Sequence, residues 1–151
     1  MTMTDFSETL STTATELIST KIAVVVREDL ASWQKLNVTA FVSSGVAASQ
    51  PAVIGQPYSD ASGTAYLAIF GQPVLVFAAD GDSLRRAFGR AVQRGVPSAV
   101  FTHDMFSTGN DADNRRVVAS VGFDELDVVG FGLIADRKVV DKICKGIRLH
   151  G

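Results

Sequence analysis

A chain of 151 residues with 46% hydrophobic and 20% charged side chains is long enough to enclose one sizeable core, and this composition excludes the disordered and collagen-like classes. A formal charge of -2 argues against a strongly basic nucleic-acid-binding domain, although a local basic patch could still bind RNA through its phosphates. No apolar run approaches the roughly 20 residues that span a bilayer, so no membrane partner is expected. Cys144, the single cysteine, cannot form an internal disulfide and reads as a helix-packing residue.

Residues 1–20, rich in Ser and Thr, are expected to be a flexible or loosely docked segment ahead of one α/β domain over residues 21–151. They lack the basic start and continuous apolar block of a signal peptide, so a cytoplasmic location is expected. A β-branched run from Lys21 to Arg27 predicts the first strand, which turns abruptly polar at Glu28 and Asp29. Asn37 reads as the N-cap of a first helix that buries Val38, Phe41, Val42 and Val46 and stops near Ser49, ahead of Pro51. From Ala52 to Phe70, short apolar pieces flank the turn-forming Asp60-Ala61-Ser62-Gly63 and predict a β-hairpin or an extended arm.

Val74 to Ala79 predicts a second buried strand, and Asp80 leads into a helix with Leu84, Ala87, Phe88, Ala91 and Val92 inward and a stop at Gly95. A strand over Ala99 to Thr102 follows, then a loop from His103 to Asn110. Asn110 or Asp111 caps a short helix through Val121. Leu126 to Ile134 reads as a strand in which Gly130 and Gly132 permit close approach of a neighbour or mark a bulge. Asp136 caps a last helix with Val139, Val140 and Ile143 inward, ended by Gly146. This alternation of strands and helices predicts an α/β layer architecture around a mixed sheet.

Ligands of open α/β sheets gather beyond the carboxyl ends of the strands, so the polar exits are where chemistry is sought. At the first exit, Arg27 and Asp29 either help arrange a site or form a loop ion pair. Lys35 either holds an anion or a developing oxyanion together with the N–H groups of a helix start or is a solvated lysine. Asp104, following a buried strand, reads either as a carboxylate for acid–base or water-orienting work or as a turn-forming Asp, and Thr108 either positions a water or a carbonyl or is a plain loop residue. His103 reads as a lone loop histidine, because neighbours on an extended chain point apart. With His150 as the only other imidazole and no zinc-type spacing, no metal is expected, and no cofactor either. Arg86, Arg90 and Arg94 recur every fourth residue, as a phosphate-tracking stripe or as a solvated helix face.

Several of these residues carry a resemblance. Val25-Val26-Arg27-Glu28-Asp29-Leu30 is similar to the R-x-D-L strand exit of type 2 peptidyl-tRNA hydrolases, and Asp104 with Thr108 is similar to their D-x-x-x-T loop. Val140-Asp141-Lys142 with Gly146 and Leu149 resembles their closing helix and tail. More closely, Leu36-Asn37-Val38-Thr39-Ala40-Phe41 and the Tyr58 to Tyr66 arm resemble an uncharacterised bacterial family, a domain of unknown function related to those hydrolases. The resemblance implies a three-layer fold of the type 2 peptidyl-tRNA hydrolase kind, with helices on both faces of a mixed sheet of four strands or slightly more, assembled as a homodimer. It implies hydrolysis of an ester or acyl bond in a small-molecule or tRNA-linked substrate. Asp104 would orient water, Lys35 would stabilise the oxyanion, Thr108 and Asp29 would position the substrate, and Arg27, Asn37 and His103 would bind it. Where the hydrolase pattern has Gly-Lys, then Ala-Ala-Gln and a His, this chain has Lys35-Leu36, Val38-Thr39-Ala40 and Ser43 or Ser44. A non-catalytic binding module for an anionic ligand is therefore the alternative.

Overall fold

β1 (Thr20–Arg27) runs through the middle of a five-stranded sheet because it is apolar on both faces, with Ile22 to Val26 fully buried. It pairs in parallel with β4 (Val74–Ala79) and antiparallel with β6 (Val128–Asp136). β5 (Ala99–Thr102) flanks β6 and the short β7 (Arg148–Leu149) flanks β4, which gives the order β5-β6-β1-β4-β7. The sheet is mixed, as expected, and is one strand larger than the four-stranded minimum. The computed structural model describes residues 19–151. The expectation of a loosely docked N-terminal segment therefore lies outside the described residues up to residue 18, whereas Thr20 already belongs to β1.

Alternate residues of β1 serve two layers. Val24 and Val26 meet Val38 and Val42 of α1 (Ser32–Ser49). Ala23 and Val25 face the opposite layer, with Leu84 and Phe88 of α2 (Gly81–Gln93) and Val140 and Ile143 of α4 (Arg137–Ile143). Gly130 and Gly132 do allow a neighbour to approach, and the neighbour is α1. A Cβ on Gly130 would overlap Val38 Cγ1, and one on Gly132 would lie 3.0 Å from Val42 Cγ2. The strand is bulged as well, because Phe101 pairs with Gly130 and Thr102 with Val128, leaving Val129 as the extra residue.

α1 begins at Ser32, five residues ahead of the expected Asn37 cap, and Phe41 is half-exposed on its outer side instead of buried with Val38. Ala31 has no capping side chain, and its N–H donates to Gln34 Oε1 at 3.0 Å instead. A cap without an Asn, Asp, Ser or Thr leaves no mark that sequence can show. α2 starts where expected: Asp80 accepts from the Ser83 N–H at 2.7 Å, which holds its carboxyl below the usual range. Val92 is turned to solvent and does not join the inward row. The segment His103–Ser107 is a 3-10 turn and not a plain loop, α3 spans Asp111–Ala119, and Asn110 caps it by accepting from the Asp113 N–H at 2.8 Å.

The predicted arm is a hairpin of β2 (Tyr58–Ser59) and β3 (Ala65–Tyr66). Gly63 takes φ +82° at its turn, a conformation that costs glycine nothing. Asp60 gathers the Tyr66 hydroxyl at 2.8 Å and the N–H groups of Ser62 and Thr64 at 2.9 and 3.0 Å, which together hold its carboxyl below the usual carboxylate range. Among the described residues no helix is long and apolar enough to cross a membrane.

Cys144 joins the α2/α4 layer of the core, and burial pushes its thiol up to about 11, with Asp141 adding to the rise. The thiolate is the reactive form, so the folded protein at pH 8 is expected to resist iodoacetamide and to alkylate only after denaturation. Rapid modification of the native chain, followed by mass spectrometry, would contradict this placement.

Candidate functional site

The carboxyl ends of β1, β4 and β5 share one side of the sheet, because β5 and β1 each run antiparallel to the β6 between them. Here the sequence-predicted residues divide into three groups. Arg27 Nε donates to Asp29 Oδ1 at 2.6 Å and its Nη1 donates to Asp127 Oδ1 at 3.2 Å, so this end of β1 is tied by an ion-pair triad. With Asp29 and Asp127 both mostly exposed, solvent screens the triad, and its role is to hold the loops after β1 and before β6 together.

The second group follows β5. The His103 N–H donates to the Asp127 carbonyl at 2.9 Å, and its ring stands edge-on to Phe106 at 5.8 Å. Asp104 is exposed beside it. Thr108 donates to the Met105 carbonyl at 2.9 Å and also contacts Asn114 Oδ1. Lys35 forms the third group. Its Nζ lies 3.3 Å from His150 Nε2, and the His150 N–H donates to the Val76 carbonyl, which puts the ammonium over β4 beside β7. β4 and β5 are three strand steps apart, about 14 Å at the usual spacing. Lys35 and Asp104 thus lie toward opposite edges of the sheet.

A cleft lies elsewhere, between α1 and α3. It measures about 820 Å³ and is lined by Trp33, Asn37 and Phe41 on one side and by Asn114 and Val118 on the other. Residues 33, 37 and 41 recur every fourth position, so they form one ridge of α1. Phe101 and Phe106 make the floor, joined in a relay of ring contacts: Trp33 to Phe106 at 5.7 Å, Phe106 to Phe101 at 5.0 Å, and Phe101 to Phe41 at 5.7 Å. Such edge-to-face and tilted geometries fix the walls of the cleft. Of the sequence-predicted residues, Asn37 and Thr108 line it.

Polar groups are few. The Asn37 side-chain amide is half-buried and has no hydrogen-bond partner among the described residues. Arg115 at the rim is paired with Asp111, and Arg116 Nη1 donates to Asp113 Oδ1 at 2.6 Å, so α3 brings little surplus charge. No cluster of three His, Cys, Asp or Glu side chains suited to a metal occurs among the described residues. Nor does the arginine stripe of α2 act as a unit: Arg90 Nη1 donates to the carbonyls of Ile143 at 2.7 Å and Lys145 at 3.3 Å and closes the end of α4, while Arg86 donates to Ser83 Oγ.

Sequence reasoning missed Trp33, Phe41, Phe106 and Asn114 as site residues. The Trp33-Asn37-Phe41 spacing was the available signal, and it becomes legible only once the helix is started at Ser32. The chain belongs to the family described as "Protein of unknown function (DUF2000)", which matches residues 20–151. It is similar, at 47% identity and a TM-score of 0.86, to the solved structure of a protein of unknown function from Agrobacterium tumefaciens strain C58, with 88% of this chain and 98% of that one covered. No curated protein matches it.

Proposed function

We propose that the domain binds a small molecule with an aromatic or branched apolar body and an amide or carbonyl head, held in the cleft between α1 and α3. The observation that carries this reading is the Trp33-Asn37-Phe41 ridge facing an aromatic floor, with the Asn37 amide unpartnered among the described residues. A cleft of about 820 Å³ falls within the range of small-molecule sites, and apolar walls with a few convergent polar groups are their usual chemistry. A free amide in such walls offers both a donor and an acceptor, which suits a polar head better than a bare anion.

Two observations weigh against a tRNA-linked substrate and against hydrolysis on the type 2 peptidyl-tRNA hydrolase pattern. Arg115 is the one basic residue in the cleft lining and it is paired with Asp111, so the cleft offers little to a phosphate backbone. Water activation by Asp104 with oxyanion support from Lys35 needs both groups at one reacting atom, and these two side chains leave different edges of the sheet.

Trp33 is the only tryptophan in the chain, which makes it a built-in reporter. Titration with a panel of aryl and branched-acyl amides is expected to change its emission saturably for at least one chemical class. Asn37→Leu is expected to weaken that binding about tenfold, the value of one lost hydrogen bond to a desolvated head group, and mass spectrometry is expected to recover the ligand unchanged. A panel that moves neither the emission nor the melting temperature would sink the proposal. Turnover of an ester or amide that disappears in Asp104→Ala would replace it with the hydrolytic reading.

A further inference from the structure

The two carboxamides that face each other across the cleft stand in different states. Asn37 is open at both Nδ2 and Oδ1 among the described residues, and a half-turn about its last side-chain bond exchanges them at little cost. Asn114 is held. Its Oδ1 takes the Thr108 hydroxyl, which is shared in a three-centre contact with the Met105 carbonyl at 2.9 Å. The end of Asn114 left for a guest is therefore Nδ2, which only donates. Neighbouring polar groups are occupied. The Asn110 carboxamide bonds Asp113 at both ends, Oδ1 accepting from the backbone N–H at 2.8 Å and Nδ2 donating to Oδ2 at 2.9 Å, and Arg115 is paired with Asp111. The cleft thus offers a head group one fixed donor from α3 and one donor–acceptor edge from α1.

We infer that this head group is a cyclic amide, a lactam or an imide, read by Asn37 and Asn114 together, an inference that rests on the cleft being a small-molecule site. An open carboxamide is best matched by a C=O and an N–H lying side by side, the two-bond pattern that asparagine makes on the edge of adenine. In an open-chain secondary amide the trans geometry sets N–H and C=O on opposite sides, so only one of them reaches Asn37. A ring forces both to one side. The carbonyl of that edge keeps a second lone pair, and Asn114 Nδ2 on the facing helix is a donor suited to it. The surroundings favour a flat, neutral ring. Trp33, Phe41, Phe101 and Phe106 line the cleft in tilted and edge-on contacts that welcome another aromatic body. A carboxylate head would meet no unpaired cation in the lining among the described residues.

Proton–nitrogen correlation NMR on the isotope-labelled full chain tests this with three probes of similar size. Isoindolinone, a benzo-fused lactam, is expected to bind saturably and to move the side-chain amide signals of both Asn37 and Asn114. N-methylbenzamide has the same skeleton with the ring opened and the amide trans, and N-methylisoindolinone keeps the ring but loses the N–H. Each should bind at least about tenfold more weakly, the value of one lost hydrogen bond in a desolvated site. Asn114→Leu should weaken the lactam about tenfold as well. Asn114 is only half-buried, on a helix with no fully buried side chain, so backbone signals away from the cleft should stay in place. Equal affinity for the lactam and N-methylbenzamide overturns the inference, as does an Asn114→Leu protein that holds the lactam like the wild type. In both cases the cleft remains a ligand site. Failure of the lactam to bind also overturns it; if open-chain amides still bind, the reading of the cleft stands, and if none does, both fall together.

Discussion

Gly130→Val is expected to lower stability by about 3 kcal/mol and the melting temperature by roughly 10 °C. A Cβ at this position would overlap Val38 Cγ1 and lie 3.1 Å from the Val25 carbonyl oxygen. Neither neighbour can yield cheaply. Val38 is fully buried and β-branched, with one strongly preferred helical rotamer, and the Val25 carbonyl belongs to the central strand. If the cost is steric, Val38→Ala in the same chain should recover at least about 1 kcal/mol relative to additivity. Thermal unfolding followed by circular dichroism reads both quantities. A Gly130→Val protein that melts with the wild type, or a pair of substitutions whose effects simply add, would show that α1 is not pressed against β6 at this point.

The second large effect is expected at Phe101, which is buried in the α1 layer and also forms the floor of the cleft. Phe101→Ala should cost about 3–4 kcal/mol, because it removes a large core side chain and leaves a void under two rings that lean on it. Those rings are Phe41 and Phe106, and Trp33 in turn meets Phe106. The urea midpoint should therefore fall with little change in slope, and Trp33 emission should shift in the folded state although Trp33 itself does not touch residue 101 through any ring contact. Phe101→Leu, which keeps most of the volume, should retain the greater part of the stability. Alanine at 101 with stability within about 1 kcal/mol of wild type would separate the cleft floor from the core.

The parts of the fold legible in the sequence are those encoded by short-range signals. β1, β4 and β5 are largely apolar runs rich in β-branched or aromatic residues, α2 has an Asp80 cap and a clear inward row, and the hairpin has a turn-forming Asp60 to Gly63 cluster. The start of α1 was not legible, since its first residue is preceded by an alanine, and the buried row Val38, Val42 and Val46 begins only in its second turn, so polar and apolar residues alternate without a clear phase ahead of it. That error of one and a half turns concealed the Trp33-Asn37-Phe41 ridge and sent Phe41 to the core. Thr108 and Asn37, both singled out from the sequence, line the α1/α3 cleft. The separation of Lys35 from Asp104 depends on strand order, and nothing in either residue's neighbourhood records that β5 and β7 close opposite edges. The ring relay joins Trp33 to Phe106 across the intervening strands and is a property of tertiary folding alone.

The two sides of the cleft are unequally anchored. α1 is seated on β6 through Gly130 and Gly132 and on β5 through Gly45, where a Cβ would come within 2.7 Å of Ala99 Cβ, so it can neither roll nor lift without opening the core. α3 has no fully buried side chain and rests against the turn before it. For the ligands proposed here, a difference in girth would therefore be taken up by displacement of α3 while the aromatic ridge stays fixed, as one jaw of a vice stays still and the other travels.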